Sequence, residues 1–187
     1  NAMLYIRGNS WDYDNWAAIG CTDWAYEDVL PYFKRSESNE RGGDAFHGGD
    51  GPLSVSDQHS VNPGSRAFVE SAARLQMPLN EDFNGARQAG FGIYQTTTRN
   101  GERWTASRAY IDPVRSRENL HILTGALTEK LIVENGRVTG VRIQRGGQTQ
   151  TLCARGAVVL SAGAFGSPQI LQLSGIGPAE HLRYHSI

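Results

Sequence analysis

The alternation of apolar and polar positions changes period along this chain, and its second half carries the clearer signal. Leu120 to Thr124 and Leu127 to Glu134 read as strands, Asn135-Gly136 marks a type I′ hairpin, and Val138, Val141 and Ile143 continue on the partner strand. Gly146-Gly147 turns the chain again, and Thr149 to Ala154 predicts a third antiparallel strand, completing a β-meander. Past Gly156 the alternation stops: residues 157 to 161 form a continuous apolar run ending in Ser161-Ala162-Gly163. Such a run predicts a strand buried on both faces, with small side chains at its carboxyl end where a ligand approaches the backbone. Ser167 as N-cap, Pro168 as first helical residue and the stripe of Ile170, Leu171 and Leu173 then predict a helix. A strand, a glycine turn and a helix start form a site of the kind that holds a nucleotide phosphate in open α/β sheets.

The first half is more mixed. Ser10 predicts the cap of a helix carrying Trp11, Tyr13 and Trp16, with Gly20 closing it. A second helix is expected over Tyr26 to Ser36, because Glu27 and Asp28 sit at the positive end of its dipole and Lys34 and Arg35 at the negative end. Residues 41 to 52 hold too many glycines for regular structure and read as a loop or mobile lid. Leu53 to Ser56 alternates as a strand, Asn62-Pro63 opens a helix expected to bury Phe68, Ala72 and Leu75, and Phe91 to Arg99 reads as a strand before the Asn100-Gly101 turn. These shifts divide the chain into segments 1–43, 44–100 and 101–187.

With 187 residues, 39% apolar and 20% charged, the composition is that of a folded globular protein of mixed α+β and α/β character. A net charge of −1 offers no concentrated basic surface for nucleic acid or an anionic membrane. No apolar run approaches the ~20 residues of a membrane span, and no signal peptide opens the chain, so a cytoplasmic protein is expected. Cys21 and Cys153 lie outside any metal-ligand spacing and read as free, buried thiols. Methionine stands third, after Asn1-Ala2, as expected of a tag remnant or of the middle of a longer chain.

Gly163 through Gly177, with Ser167-Pro168 and Ser174-Gly175-Ile176-Gly177, resembles at every fixed position the second signature of the glucose-methanol-choline (GMC) flavoenzymes. Met3 to Gly8 followed by Asp12 to Ala17, Asp28 to Lys34, His47 to Leu53, Asp82 to Gly85 with Gly90-Phe91-Gly92, and Arg103 to Pro113 resemble further segments of choline-dehydrogenase-like members, in family order. The resemblance implies part of an FAD-binding domain, with its β-meander, plus part of a substrate-binding sheet-and-helix domain. In that scheme 1–43 are helices after the flavin loop, 44–100 belong to the substrate side and its lid, and 101–187 return to the FAD domain. It also implies an FAD-dependent oxidoreductase acting on an alcohol or choline-like substrate.

The family's Gly-x-Gly-x-x-Gly and the His-Trp of its carboxyl-terminal region do not occur here, so no catalytic residue is assigned and the chain reads as an internal piece of a longer enzyme, inactive without the rest of its polypeptide. By resemblance, the Thr128 amide and carbonyl meet the adenine of FAD, Ser161, Ala162 and Gly163 lie near its ribose and pyrophosphate, and Asn1 and Met3 border the flavin ring. His181 and His185 are spaced i, i+4 but lack a third ligand, so no metal is assigned. His47, in its glycine loop, reads as a solvated residue or part of a lid, and the aromatic residues between 11 and 33 as core. The residues by themselves leave open a non-catalytic module that holds a nucleotide or small metabolite.

Overall fold

The computed structural model describes residues 2–187 and divides the chain into two compact units, 1–120 and 121–187. Within the first unit Tyr5 donates its amide to the Gln95 carbonyl at 2.9 Å and Leu4 bridges Thr96, which ties the amino-terminal segment to the end of the 44–100 segment.

In the first unit, helix α1 spans Ser10–Ala18 and helix α2 Tyr26–Ser36. Asn9, not Ser10, caps α1: its side chain accepts the Trp11 amide at 3.0 Å while Asp12 accepts the Asn9 amide at 2.8 Å, a reciprocal capping box. Asp28 accepts the Ala25 amide and Asp14 the Tyr26 amide at the start of α2, which keeps its full length although Pro31 removes one donor. Strand β1, Glu37–Asn39, follows at once and pairs in parallel with β2, Leu53–Val55. Helix α3 spans Pro63–Arg74 with Asn62 as its cap, but only Ala72 on it is buried. Phe68 and Leu75, expected in the core, face outward because no described element covers that side; Phe68 lies 5.8 Å from the Phe91 ring at the edge of an open groove. The strand expected over 91–99 shrinks to isolated bridges and to the hairpin β3, Thr98–Arg99, with β4, Glu102–Arg103.

Loop 41–52 is strapped down along its length. The Asn39 amide donates to the Gly48 carbonyl, the Gly51 amide to the Glu37 carbonyl, and the Ser38 hydroxyl to the Gly49 carbonyl. Two of its glycines are required by contact: a Cβ at Gly48 would overlap the Lys34 carbonyl, and one at Gly51 would press into the Ser36–Glu37 peptide.

The second unit is the meander β5, Ala126–Glu134, β6, Arg137–Arg145, and β7, Gln148–Cys153, with helix α4, Gly163–Leu173, packed on β5 and helix α5, Ala179–Tyr184, after it. Asn135 and Gly136 adopt φ of 50° and 76°, as a type I′ turn demands. Leu131, Ile143, Ile170 and Leu182 form the core. Leu120–Thr124 is not a strand, having no ladder partner among the described residues.

Both cysteines are free, as expected, but exposed: Cys21 stands in the turn after α1 and Cys153 ends edge strand β7. Of the aromatic residues expected in the core, Tyr13 is buried, while Trp11, Trp16, Trp24 and Tyr32 are exposed. No described helix is long and apolar enough to cross a membrane.

Candidate functional site

Residues 157–161 are not a buried strand. Among the described residues no strand pairs with them, and without ladders on either side a continuous apolar run cannot form the centre of a sheet. Val159 is 86% exposed and Ser161, Ala162 and Gly163 are all exposed. Gly163 turns the chain with φ of 85°, so α4 starts there rather than at Pro168. Ser167 still caps, from inside the helix: its hydroxyl accepts the Ala162 amide at 2.9 Å. Pro168 lies within α4, where its nitrogen supplies no helical donor. The amides of Gly163, Ala164 and Phe165 at the helix start have no intrahelical acceptor, and small side chains surround them except for Phe165, itself 93% exposed. That donor set fits an anionic phosphate.

The end of the signature is a helix stop. The Gly175 amide donates to the Gln172 carbonyl and the Ile176 amide to the Leu171 carbonyl, with Gly175 at φ 80°, a Schellman motif. Ser174 joins this cap to the sheet, accepting the Leu131 amide at 2.8 Å and donating to the Ile170 carbonyl at 2.6 Å. Thr128 is half-buried on β5, the strand against which α4 packs, beside a register shift that skips Glu129 in the ladder, though its carboxylate accepts from Arg142 of β6 at 2.7 Å. The second unit thus carries Thr128 and the 161–163 turn on two adjoining elements.

Met3 belongs to the first unit, and Asn1 lies outside the described residues. Met3 takes a left-handed φ of 66°, its carbonyl accepting the Thr97 amide at 2.8 Å. It borders a cavity of about 400 Å³ together with Asp57, Gln58, His59 and Thr98.

The feature that sequence reading missed is the polar core of this unit. Among the described residues it buries more polar than apolar side chains. Glu37, at 0% exposure, accepts from Arg7 Nη2 at 2.5 Å, from Asn39 Nδ2 at 2.9 Å and from His47 Nδ1 at 3.0 Å. His47 is buried rather than solvated, and its Nε2 stands 3.0 Å from Asp82 Oδ2. Arg7 also donates to the Phe46 carbonyl at 2.8 Å, and its guanidinium lies 5.1 Å from the centre of the Phe33 ring. Burial alone raises the Glu37 carboxyl, but hydrogen bonds from His47 and Asn39 and the Arg7 charge outweigh it and hold the group below the usual carboxylate range. The His47 ring is raised by its hydrogen bond to Glu37, against a lowering by burial, with Asp82 reinforcing the rise. The one local hint was Glu37-Ser38-Asn39, polar residues where strand alternation puts two on the inward face. The partners Arg7, His47 and Asp82 are too distant in sequence for any periodicity to pair them. His181 and His185 stack edge to face at 4.7 Å, and no group of three metal-ligating side chains forms among the described residues.

Comparison with known proteins bears on this geometry. A family model described as GMC oxidoreductase matches residues 1–187. An oxygen-dependent choline dehydrogenase of Rhizobium etli is 45% identical over 183 residues, covering 98% of this chain and 33% of that protein; one from Sinorhizobium medicae matches over the same shares at 45%. Among solved structures, a pyridoxine 4-oxidase from Mesorbium loti superposes with a TM-score of 0.87 at 35% identity, over 100% of this chain and 37% of the other. An FAD-dependent oxidoreductase from Chaetomium thermophilum gives 0.83 at 32%, over 100% and 35%. The chain spans about a third of the length of the curated relatives it matches. Matched along every residue, in fold as in sequence, it belongs to the GMC oxidoreductase family.

Proposed function

We propose that this chain supplies part of the FAD cleft and part of the substrate side of an FAD-dependent oxidoreductase that oxidises the CH–OH group of an alcohol, choline-like substrates included. The observation that carries the reading is the family match across all 187 residues. The exposed run at 157–161 lends it no support from burial. When bound, the flavin would take the hydride of the carbinol carbon at N5. In this reading the α4 start, with Ser161, Ala162 and Gly163, holds the pyrophosphate and ribose, the Thr128 backbone meets the adenine, and Met3 and Asn1 border the flavin ring. The exposed Val159 and Phe165 then pack against the remainder of the parent polypeptide, because apolar side chains so fully exposed gain from being covered. The protein acts in the cytoplasm, and this chain alone turns over no alcohol. No observation favours a nucleotide-holding module without chemistry.

The test is spectroscopic. The parent polypeptide carrying this chain, once purified, should show the flavin absorbance band, and an added alcohol should bleach it under anaerobic conditions. Gly163→Val, which cannot take the left-handed turn, should lower FAD retention. A parent protein that neither carries FAD nor binds it when supplied would overturn the proposal.

A further inference from the structure

His47 is held by carboxylates on both sides of its ring. Nδ1 lies 3.0 Å from Glu37 Oε1 and Nε2 lies 3.0 Å from Asp82 Oδ2, and an ionised carboxylate has no proton to donate and can only accept. A neutral imidazole has one N–H, so one of its nitrogens would present a lone pair to a carboxylate; Asn39 Nδ2 also lies 3.2 Å from Nδ1, but its two N–H have closer acceptors in Glu37 Oε1 and Gln95 Oε1, both at 2.9 Å, and the imidazolium, with two N–H, satisfies both carboxylates. Charge agrees with geometry. Arg7 and a protonated His47 balance Glu37 and Asp82, whereas a neutral ring leaves an excess negative charge on a set in which Arg7, Glu37 and His47 are buried and Asp82 is 34% exposed. The other charged or titratable groups around it are Asp44, whose carboxylate accepts the His47 amide; Lys34 of α2, bonded to the Asp44 carbonyl; Arg41, bonded to the Glu81 carbonyl; and Tyr5, beside Arg7.

A continuous line of bonds runs from this ring to the amino-terminal segment. Asp82 Oδ1 accepts the Asn84 amide at 2.9 Å, Asn84 Oδ1 accepts the Arg7 amide at 2.8 Å, and Asn84 Nδ2 donates to the Tyr5 carbonyl at 3.0 Å. Asp82 and Asn84 sit in the loop between α3 and β3, His47 sits in loop 41–52, and Tyr5 and Arg7 lie two and four residues after Met3. A cavity of about 170 Å³ lies where the three meet, bordered by Arg7, Phe46, Asn84 and Gly85.

We propose that His47 is a positioning residue that works as a doubly bonded cation: it clamps loop 41–52 to Asp82 and, through Asp82 and Asn84, holds the backbone of residues 5–7 in place, so that loss of its ring proton frees that segment. The role in flavin placement rests on the reading that Met3 borders the ring; the clamp itself does not.

Two measurements on this chain, without FAD, test it. Nitrogen-15 NMR of the five histidines across neutral pH should find one ring, assigned to His47 through its own backbone resonances, with both nitrogens protonated at a pH where exposed rings are neutral. Amide hydrogen exchange, corrected for intrinsic rates, should show protection at Arg7 falling about ten- to a hundredfold as that ring loses its proton, the equivalent of one charge-assisted bond. His47→Gln should show low protection with no step. A His47 ring that holds a single proton at neutral pH, or Arg7 protection unchanged through its titration, overturns the proposal; both are read on the wild-type chain even if the variant fails to fold. A parent protein that binds no FAD would sink the functional reading and leave these two results standing.

Discussion

Removing the charge of Glu37 while keeping its shape isolates what holds the first unit together. Glu37→Gln leaves the volume unchanged but strips a fully buried group of the charge that faces Arg7 at 2.5 Å and His47 at 3.0 Å. It also turns an amide N–H₂ toward donors at one of the two former acceptor oxygens. Arg7, with a side chain 3% exposed, is left without a counter-charge, and breaking a buried pair from one side costs about 3–5 kcal/mol. Set against a whole-domain stability of roughly 5–15 kcal/mol, that is a large fraction. At a urea dependence of about 2 kcal/mol per molar, the midpoint should fall by about 2 M. All four tryptophans, at 11, 16, 24 and 104, lie in the unit 1–120, so their fluorescence reports its unfolding alone. Glu102→Gln provides the contrast, since Arg108–Glu102 is equally short at 2.5 Å but its side chains are 42% and 67% exposed. Solvent and salt screen such a pair to about 1 kcal/mol or less. Equal midpoint shifts for the two variants would refute the claim that burial, rather than pair distance, sets the cost.

Gly48→Ala should cost at least ~3 kcal/mol by the same assay, because its Cβ meets only backbone that cannot yield, whereas Gly42→Ala, with open space but φ of 92°, should cost about 1–2 kcal/mol from backbone strain. Ser174→Ala leaves the Leu131 amide without its acceptor and should destabilise the α4–β5 contact by about 1–3 kcal/mol, read as faster exchange at Leu131 with tryptophan fluorescence unchanged. Stability of the first unit should fall as pH rises above the ordinary histidine value of ~6.5 and through the raised value of His47, since the folded state there binds the extra proton; at the acid end it should fall as Glu37 is protonated below the usual carboxylate range. Urea midpoints measured across that alkaline window should decline in the wild type and stay level in His47→Gln.

The elements legible in the sequence are those whose determinants lie within a few residues of one another. Helix α2 runs over Tyr26–Ser36 as its charge pattern demands, Asn62-Pro63 opens α3, and Asn135-Gly136 makes the turn between β5 and β6. The signature of residues 163–177 was legible as a family mark, yet its closing Ser-Gly-x-Gly follows from local mechanics, a Schellman stop at Gly175 and a serine that ties the helix end to Leu131. Helix α4 starts five residues before Pro168, because Ser167 can cap an amide behind it as well as one ahead.

Two things escaped for opposite reasons. The apolar run 157–161 predicted burial, but hydrophobicity states only that a segment gains from cover; whether neighbours exist is decided elsewhere, and none pairs with it among the described residues. From its sequence His47 reads as a solvated residue or part of a lid, because glycines surround it and a lone polar residue in such a loop has no local reason to be inside. The glycines have a different purpose: at Gly48 and Gly51 they let the loop backbone lie directly on the Lys34–Glu37 chain, and that close approach carries His47 down to Glu37. A glycine-rich stretch followed by a proline therefore described a strap. The same residues that suggested mobility are what permit the contact, and the histidine's burial follows from them once Glu37, at the inward face of β1, is there to receive it.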